Sequence, residues 1–415
     1  MASSELIVGL DIGTTKICAV VGEQTDVGMN VIGFGTSPST GLRKGVVVNI
    51  DQTVQSISDA VNAARDMAGC EIRTVYAGIA GSHIQGQNSH GVVNVSGGDE
   101  ITQADVDRVL EIAKNVPISP DRKILHVLPK GYILDNQTGI DDPIGMSGLR
   151  LEADVHIVTG AVASAQNIIR SCNKCGLEVA DIVLESFASS KSILTDDERE
   201  IGAAIVDIGG GSSDIAIFSG KAIGYTGAVA LGGNDITHDI SRGLRTSQGS
   251  AEMLKIKHGC ALRSLVGQDE MIEVPSVGGR PNQSCERSVL AHICEARMKE
   301  ILAKLYVYHL EPSGLKDRLA AGIVLTGGAS LMPGTVELAE AIFQMPVRIG
   351  KPRRVGGLSD TVDNPRFATA VGLLFYGAEH DALNESSDVP SDYGERWSGL
   401  RSIFRKMKSW FSDVK

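Results

Sequence analysis

The chain contains 415 residues, carries a formal net charge of −11 and is 42% hydrophobic. This length predicts roughly two to four domains, and the hydrophobic content excludes a chain that is disordered throughout. The acidic balance argues against a general nucleic-acid-binding protein.

The N-terminus and the cysteines indicate the compartment. The first residues lack the basic region and long apolar stretch of a secretory signal, and no run of about 18 apolar residues predicts a membrane span. The seven cysteines are scattered, which is typical of cytosolic free thiols rather than of a disulfide framework. We expect no metal or redox site at Cys172 and Cys175, or at Cys285, His292 and Cys294, because neither spacing completes a common ligand set.

The chain begins with a predicted β-hairpin around the sequence Asp11-Ile12-Gly13. Apolar and β-branched residues precede and follow this short polar turn. Apolar side chains at helical spacing then predict a helix over residues 51–68, and residues 74–80 have the composition of a buried strand.

The composition changes after this strand. Residues 83–100 are rich in Gly, Ser, Asn and His, and Thr102 with Asp105 three residues later is typical of a helix start. The elements predicted next are a helix over 101–115, β-rich stretches over 124–144 and 151–160, and a helix over 163–176. We interpret residues 83–162 as an inserted α+β subdomain.

The strand–acid–turn–strand pattern of the first segment recurs 196 residues later. Asp207-Ile208-Gly209 repeats Asp11-Ile12-Gly13, which predicts a duplicated sheet-and-helix domain with a cleft between the two copies. The remaining predicted elements are a mainly helical region over 235–310 broken by a Gly/Pro loop at 275–281, a third strand-to-glycine turn over 320–330, and a buried helix over 367–376.

The three turns carry the residue types that bind a polyphosphate. Glycine and small hydroxyl residues let backbone N–H groups face an anion, and acids at equivalent strand ends can hold Mg²⁺, usually through water. A single turn of either kind is often only a tight hairpin, but two matching copies favour nucleotide binding. The candidate nucleotide-binding residues are Gly13, Thr14, Thr15, Lys16, Gly209, Gly210, Gly211, Ser212, Gly327 and Gly328, and the candidate Mg²⁺-binding residues are Asp11 and Asp207.

These turns resemble the phosphate and adenosine loops of the actin, heat-shock chaperone ATPase and sugar kinase superfamily. Almost the whole chain is further similar to the FtsA family of bacterial division proteins, through the stretches 254–262, 274–281, 348–350 and 369–374. The resemblance implies an α/β, actin-like two-lobed ATPase fold that binds ATP and Mg²⁺ between the lobes. The subdomains expected from it are a first large subdomain at 1–82 and 163–196, completed by about 350–380; the inserted subdomain at 83–162; a second large subdomain at 197–234 and 306–349; and a second small subdomain at 235–305.

The resemblance also assigns roles to three further side chains. Glu252 and Lys255 match the acid and base that contact ribose and adenine in relatives, and they fit an ordinary solvated i,i+3 ion pair equally well. Glu185 matches the acid that positions the attacking water in the chaperone relatives, but Ser186 replaces the usual proline. Glu185 fits an ordinary carboxylate at a helix start at least as well as a hydrolytic role. We therefore expect slow ATP hydrolysis or none.

The end of the chain reverses the charge of the body. Residues 378–396 hold six acids and one base and predict an acidic linker, whereas residues 397–415 hold five bases and one acid. The apolar residues of this tail lie on one face of a predicted amphipathic helix: Trp397, Leu400, Ile403, Phe404, Met407, Trp410 and Phe411. The basic residues beside them are Arg401, Arg405, Lys406 and Lys408. This pattern predicts binding to anionic lipids, with a packed terminal helix or a partner-binding peptide as alternatives.

The resemblance implies an ATP-binding membrane adaptor of cell division. Such a protein polymerises on the cytoplasmic face of the inner membrane at the division site, and its second small subdomain binds the C-terminal tail peptide of the tubulin-like GTPase FtsZ. Its inserted subdomain meets later division proteins. The alternatives are a sugar-type kinase, for which no substrate-site aspartate is evident, a type IV pilus actin-like protein, and a chaperone ATPase, which would need a substrate domain after residue 380.

Overall fold

The predicted first hairpin is confirmed in the computed structural model, which describes residues 6–26, 28–95, 100–267 and 269–385. The elements of this first segment are β1 (Leu6–Ile12), β2 (Lys16–Thr25), β3 (Gly28–Pro38), β4 (Leu42–Arg43), β5 (Val46–Val47), α1 (Ile50–Ala68) and β6 (Thr74–Ile79). Helix α1 begins where the Asn49 side chain accepts a hydrogen bond from the Gln52 amide, and it ends at Gly69 in the left-handed region. The predicted helix over 51–68 and strand over 74–80 are therefore confirmed.

The inserted segment forms a four-stranded sheet of its own. Its elements are β7 (Gln85–Asn94), α2 (Gln103–Lys114), β8 (Arg122–Leu134), β9 (Gln137–Ile140) and β10 (Arg150–Ala161), with strand order β7-β10-β8-β9. Thr102 and Asp105 form the expected capping box at the start of α2. Strand β7 was not predicted, because residues 83–100 have a polar composition. It is a strand because its backbone pairs with β10 from Gln85 to Asn94.

The chain then returns to the first sheet and passes into the second repeat. Four elements make this passage: α3 (Val162–Lys174), β11 (Glu178–Leu184), α4 (Glu185–Ile193) and α5 (Asp196–Ile201). The second repeat begins with β12 (Ala203–Ile208), β13 (Ser213–Ser219) and β14 (Ala222–Val229). Helices α6 (Gly233–Gly243) and α7 (Gln248–His258) follow.

The region predicted to be mainly helical also contains a short hairpin. Strands β15 (Met271–Val274) and β16 (Gln283–Glu286) pair across the predicted Gly/Pro loop, so the loop is a hairpin turn rather than a break between helices. The described part of the chain closes with α8 (Arg287–Leu305), a π-helical turn (Tyr306–Leu310), β17 (Ile323–Thr326), α9 (Thr335–Phe343), β18 (Val347–Ile349), β19 (Val355–Gly357), α10 (Ser359–Val362) and α11 (Ala368–Glu385).

The duplication inferred from the two Asp-Ile-Gly turns is visible in the sheets. The first sheet has the order β11-β6-β1-β2-β3-β19, and the second has the order β18-β17-β12-β13-β14. Strand β1 corresponds to β12, β2 to β13 and β6 to β17, with the same antiparallel and parallel pairings. We call the two sheets with their helices the first and second lobes. The turn that follows β1 and the turn that follows β12 therefore lie at equivalent positions in the two lobes.

The last described helix is longer than predicted and includes the beginning of the expected acidic linker. Helix α11 packs on β1, where a Cβ on Gly9 would overlap the carbonyl oxygen of Ala370. Glu379 binds Lys191 at 2.5 Å, and Asp381 accepts a hydrogen bond from the Tyr76 hydroxyl at 2.5 Å. Residues 378–385 are therefore helix rather than linker, and Glu379 and Asp381 have partners in the first lobe.

Two further sequence expectations are addressed by the described residues. All seven cysteines lie within the described residues and are free thiols. No helix within residues 6–385, apart from the short gaps, is long and apolar enough to cross a bilayer. The residues predicted to contact lipid, and the linker residues after Glu385, lie outside the described residues.

Candidate functional site

A cleft of about 330 Å³ lies between the two repeated turns. Every residue that the sequence nominated for nucleotide, metal or hydrolytic roles lines it: Asp11, Gly13, Thr14, Thr15, Lys16, Glu185, Asp207, Gly209, Gly210, Gly211, Ser212, Glu252, Lys255, Gly327 and Gly328. Residues that are far apart in the chain thus converge because the duplicated sheets place equivalent strand ends at one location.

Each repeated turn is closed by one backbone hydrogen bond. The Gly13 amide donates to the Lys16 carbonyl at 3.1 Å, and the Gly209 amide donates to the Ser212 carbonyl at 3.0 Å. Among the described residues, no protein acceptor receives a hydrogen bond from the amides of the two residues inside each turn. Free backbone donors in such turns form the concavities that bind anions such as phosphate.

The two turns approach each other so closely that positions 210 and 211 of the second turn must be glycine. Thr15 Oγ1 donates to Asn234 Oδ1 at 3.3 Å across the cleft. A Cβ on Gly210 would overlap Thr15 Oγ1, and a Cβ on Gly211 would lie 2.7 Å from Thr14 Oγ1. The glycines at positions 210 and 211 therefore follow from the contact between lobes.

Four carboxyl groups surround the cleft: Asp11 and Asp214 are buried, whereas Glu185 and Asp207 are half-buried in its wall. Burial, followed by the nearby Asp214 and Asp11, raises the pKa of Asp207 to about 7. Burial also raises the pKa of Asp214 to about 6 and that of Asp11 above its usual range. Burial and the neighbouring aspartates raise the pKa of Glu185 well above its usual range. These carboxyls therefore need a compensating cation to ionise together.

The donor set fits a hard divalent cation held partly through water. Magnesium prefers oxygen ligands and usually keeps several of its waters. Among the described residues, no three Asp, Glu, His or Cys side chains converge closely enough to coordinate one metal ion directly. The chemistry of the residues thus fits Mg²⁺ that reaches Asp11 and Asp207 through water and is bound by phosphate oxygens as well.

The Lys16 ammonium is held at the cleft by three groups. It donates to the Arg366 carbonyl at 2.8 Å and lies 3.9 Å from Asp11 Oδ2. It also lies 4.5 Å from the centre of the Phe367 ring. These contacts place one positive charge beside the free amides of the first turn, where a phosphate group would need it.

Glu252 and Lys255 satisfy both interpretations of their spacing. Lys255 Nζ lies 2.7 Å from Glu252 Oε2, as expected for an i,i+3 ion pair. The same ammonium donates to the Gly233 carbonyl at 3.0 Å and to Thr237 Oγ1 at 2.9 Å, and Thr237 also bonds Glu252. The pair is tied to the start of α6 and lines the cleft, so its polar atoms can meet a ligand.

The third glycine turn closes another wall of the cleft. Gly327 has φ of 84°, and a Cβ on it would lie 2.6 Å from the Ile208 carbonyl oxygen. Ser330 Oγ donates to the Gly327 carbonyl at 2.7 Å and holds the turn. Only glycine is compatible with both the backbone angle and the close approach to β12.

Four polar cleft residues were missed by the sequence analysis: Asp214, Asn234, Arg366 and Thr369. Asp214 could have been predicted from the repeat, because it lies 196 residues after Cys18 and therefore occupies the equivalent position in the second repeat. Its carboxylate accepts hydrogen bonds from Ser212 Oγ at 3.0 Å and from the Gly81 amide at 3.3 Å. The other three carry no local signal: Asn234 lies at the start of α6, and Arg366 and Thr369 reach the cleft where the chain crosses back to the first lobe.

The raised carboxyl pKa values predict how stability depends on pH. An acid whose pKa is higher in the folded state binds more protons there, so stability falls as pH rises toward that pKa. The pKa of about 7 at Asp207 therefore predicts a loss of about 1 kcal/mol between pH 6.5 and 8 in the nucleotide-free protein. Urea unfolding at several pH values measures this slope. A stability that rises over this interval would contradict the assigned carboxyl environment.

Comparison with protein families identifies two matching regions. Residues 204–372 match the family model described as Cell division protein FtsA, and residues 81–159 match the SHS2 domain inserted in FTSA. The second match overlaps the segment interpreted above as an inserted subdomain.

Whole-chain relatives extend this match. The chain is 49% identical over 409 residues to Cell division protein FtsA of Pseudomonas aeruginosa, covering 98% of both chains. It is 46% identical over 409 residues to the protein of that name from Neisseria meningitidis serogroup B, covering 97% of both chains.

Solved structures of low sequence identity to this chain have the same fold. The PilM–PilN type IV pilus biogenesis complex matches with a TM-score of 0.62 at 15% identity, over 89% of this chain and 98% of that chain. MreB5 of Spiroplasma citri bound to ADP matches with a TM-score of 0.58 at 15% identity, over 92% and 99% of the two chains. The predicted actin-like α/β fold is thus confirmed, and the extent of the whole-chain similarity shows that the chain belongs to the FtsA family of cell division proteins.

Proposed function

We propose that the chain binds Mg²⁺–ATP in the cleft and serves as an actin-like membrane adaptor of cell division. The observation that carries the proposal is the convergence of two duplicated turns, each with free amides, on a cleft with four carboxyls and Lys16. The MreB5 neighbour, whose structure contains ADP, has the same fold. A shared fold alone does not assign a ligand, so the assignment depends on the residues of this cleft.

The residues of the cleft divide by chemistry. The amides of the two turns and Lys16 would hold phosphate groups, and the Asp11 and Asp207 carboxylates would hold hydrated Mg²⁺. Glu252 and Lys255, with the backbone of Gly327–Gly328, would meet the ribose and base. Bound Mg²⁺ supplies positive charge that offsets both the phosphates and the carboxyl cluster. Asp207 would then release its proton at neutral pH.

We propose that ATP turnover is slow. A general base must accept a proton from water, which requires an ionised carboxylate at the operating pH. Burial and three neighbouring aspartates raise the pKa of Glu185 well above its usual range, which disfavours the ionised form that a base requires. Glu185 would act as a base only after a bound cation lowered its pKa. This behaviour suits a nucleotide that controls assembly rather than rapid chemistry.

The rest of the function concerns surfaces beyond the cleft. We propose that the segment 397–415 binds anionic lipids of the inner membrane on its cytoplasmic face, and that copies of the chain associate into filaments there. The second small subdomain at 235–305 would bind the FtsZ tail peptide, and the inserted subdomain would recruit later division proteins. Family membership and the amphipathic pattern of the tail support these assignments.

Isothermal titration calorimetry tests the nucleotide assignment. We expect ATP to bind with 1:1 stoichiometry in the presence of Mg²⁺ and much more weakly with EDTA, because the ionised carboxyls of the cleft repel phosphates that no cation compensates. Equal affinity with and without Mg²⁺, or no binding in either case, would contradict the proposal. A coupled assay over a panel of sugars is the companion measurement, since rapid phosphotransfer to any of them would instead favour the kinase alternative.

A further inference from the structure

The inserted subdomain belongs to the first lobe by sequence but contacts both lobes through buried histidines. His156 on β10 and His126 on β8 are 1% and 2% exposed. Neither histidine is among the residues that line the cleft, and neither has a role in the proposed nucleotide site. Burial lowers the pKa of His156 to about 4 and that of His126 to about 3, so both rings are neutral at physiological pH.

His156 completes a hydrogen-bonded path to the second lobe. Its Nε2 lies 3.0 Å from Thr226 Oγ1 on β14, and its Nδ1 lies 2.8 Å from Asn88 Oδ1 on β7. The Asn88 side-chain amide donates to the Gly224 carbonyl, also on β14, at 3.2 Å. Since Asn88 Oδ1 can only accept, the neutral ring must donate from Nδ1 and accept the Thr226 hydroxyl at Nε2. These hydrogen bonds thus connect the inserted sheet to two residues of β14, Thr226 and Gly224.

The residues around the hydrogen bond between His156 and Thr226 are closely packed. A Cβ on Gly86 would lie 2.6 Å from His156 Nε2 and would overlap Thr226 Oγ1. Thr226 is 4% exposed and His156 is 1% exposed, so water is excluded from the hydrogen bond between them, whereas Asn88 is exposed. At the edge of the same interface, Lys221 Nζ lies 4.0 Å from Asp141 of the inserted segment.

His126 makes the corresponding contact with the first lobe. Its Nε2 accepts a hydrogen bond from the Leu184 amide at 3.0 Å. Leu184 ends β11 and immediately precedes Glu185, whose carboxyl lines the cleft. The inserted sheet thus holds the backbone beside Glu185 with one histidine and the hairpin β13–β14 with another.

We propose that the inserted subdomain is a strap between the lobes, so that the opening of the cleft and the orientation of this subdomain are one coupled equilibrium. The lobes cannot separate at the cleft unless the contact between His156 and Thr226 breaks or the strap moves with the second lobe. Coupling of the strap to nucleotide occupancy rests on the proposed function, whereas the mechanical link does not. Partners that bind the inserted subdomain would then favour one opening of the cleft, and by reciprocity the cleft ligand would change their affinity.

Hydrogen–deuterium exchange of the nucleotide-free full chain tests the mechanical link. The reporters are peptides over β14 and over residues 80–84, because the Gly81 amide donates to Asp214 across the lobes. We expect His156→Ala and the isosteric Thr226→Val to accelerate exchange in both peptides, by about 2- to 10-fold for each net hydrogen bond lost. The matched control is His90→Ala, since His90 contacts Glu152 and Asp154 within the inserted sheet alone.

Three outcomes decide between the alternatives. Faster exchange at both peptides in the two strap variants, but not in His90→Ala, supports the strap. Exchange equal to wild type in both strap variants, or the same acceleration in His90→Ala, overturns it. Repetition with Mg²⁺–ATP separates the two proposals: no protection of the cleft in the wild type would refute nucleotide binding, while the nucleotide-free comparison would still decide the strap.

Discussion

Asp207→Asn is expected to abolish Mg²⁺-dependent ATP binding and, at the same time, to stabilise the nucleotide-free protein. The substitution keeps the size of the side chain but removes the charge that would hold hydrated Mg²⁺. Because the affinity gained from Mg²⁺ depends on that charge, we expect a loss of at least about 100-fold, equivalent to about 2.7 kcal/mol. Calorimetry with ATP and Mg²⁺ measures the loss.

The stabilisation follows from the burial of the same group. Asp207 must ionise in the folded protein against burial and two neighbouring aspartates, which raise its pKa to about 7 from an ordinary 3.8. Each pKa unit corresponds to about 1.4 kcal/mol, so removal of the ionisable group should stabilise the folded state by up to about 4 kcal/mol at pH 8. The pH slope described above should also become shallower.

The control for both effects is Asp66→Asn, an exposed aspartate on α1 that binds the adjacent Arg65. We expect this variant to bind ATP like the wild type and to change stability by no more than about 0.5 kcal/mol. If Asp207→Asn retains wild-type affinity and Mg²⁺ dependence, the carboxyl cluster is not the metal site. If it destabilises the protein, the Asp207 carboxyl is not the strained group that its surroundings indicate.

Deletion of residues 397–415 is expected to abolish binding to anionic vesicles. Four basic residues contribute roughly 1 kcal/mol each near an anionic leaflet, and the seven apolar residues add burial at the lipid headgroups. Loss of both terms should reduce the bound fraction to background in a sedimentation assay with vesicles that contain phosphatidylglycerol. The truncated chain should still bind ATP, because the proposed cleft lies wholly within residues 6–385.

Finer variants separate the two contributions of the tail. Trp410→Ala should weaken binding to anionic and neutral vesicles alike, whereas neutralisation of Arg401, Arg405, Lys406 and Lys408 should remove the preference for anionic lipid. Unchanged sedimentation of the truncated chain would mean that another surface binds the membrane. Loss of ATP binding on truncation would mean that the tail is part of the nucleotide site.

The duplicated turns made the centre of the site predictable from the sequence. Glycine and aspartate carry strong local constraints, and the repeat of Asp11-Ile12-Gly13 at Asp207 shows which strand ends are equivalent. Once two copies of one sheet are recognised, symmetry requires their turns to meet. The cleft therefore contains the nominated residues of all three distant turns.

The parts that escaped prediction depend on long-range pairing. Strand β7 has a loop-like composition, and only its ladder with β10 makes it a strand. The hairpin β15–β16 lies in a region whose apolar spacing favours helix. Arg366 and Thr369 reach the cleft because the chain crosses back to the first lobe, and His126 and His156 have no motif at all. Residues of this kind are positioned by packing, which single-sequence patterns do not encode.

Electron microscopy of the full chain on a lipid monolayer tests the central claim most directly. The claim combines three properties in one molecule: a nucleotide cleft, an actin-like body and a lipid-binding tail. We predict filaments on an anionic monolayer with Mg²⁺–ATP, few or none with EDTA, and none for the chain lacking residues 397–415. Filaments that form equally well without nucleotide and without the tail would contradict the account.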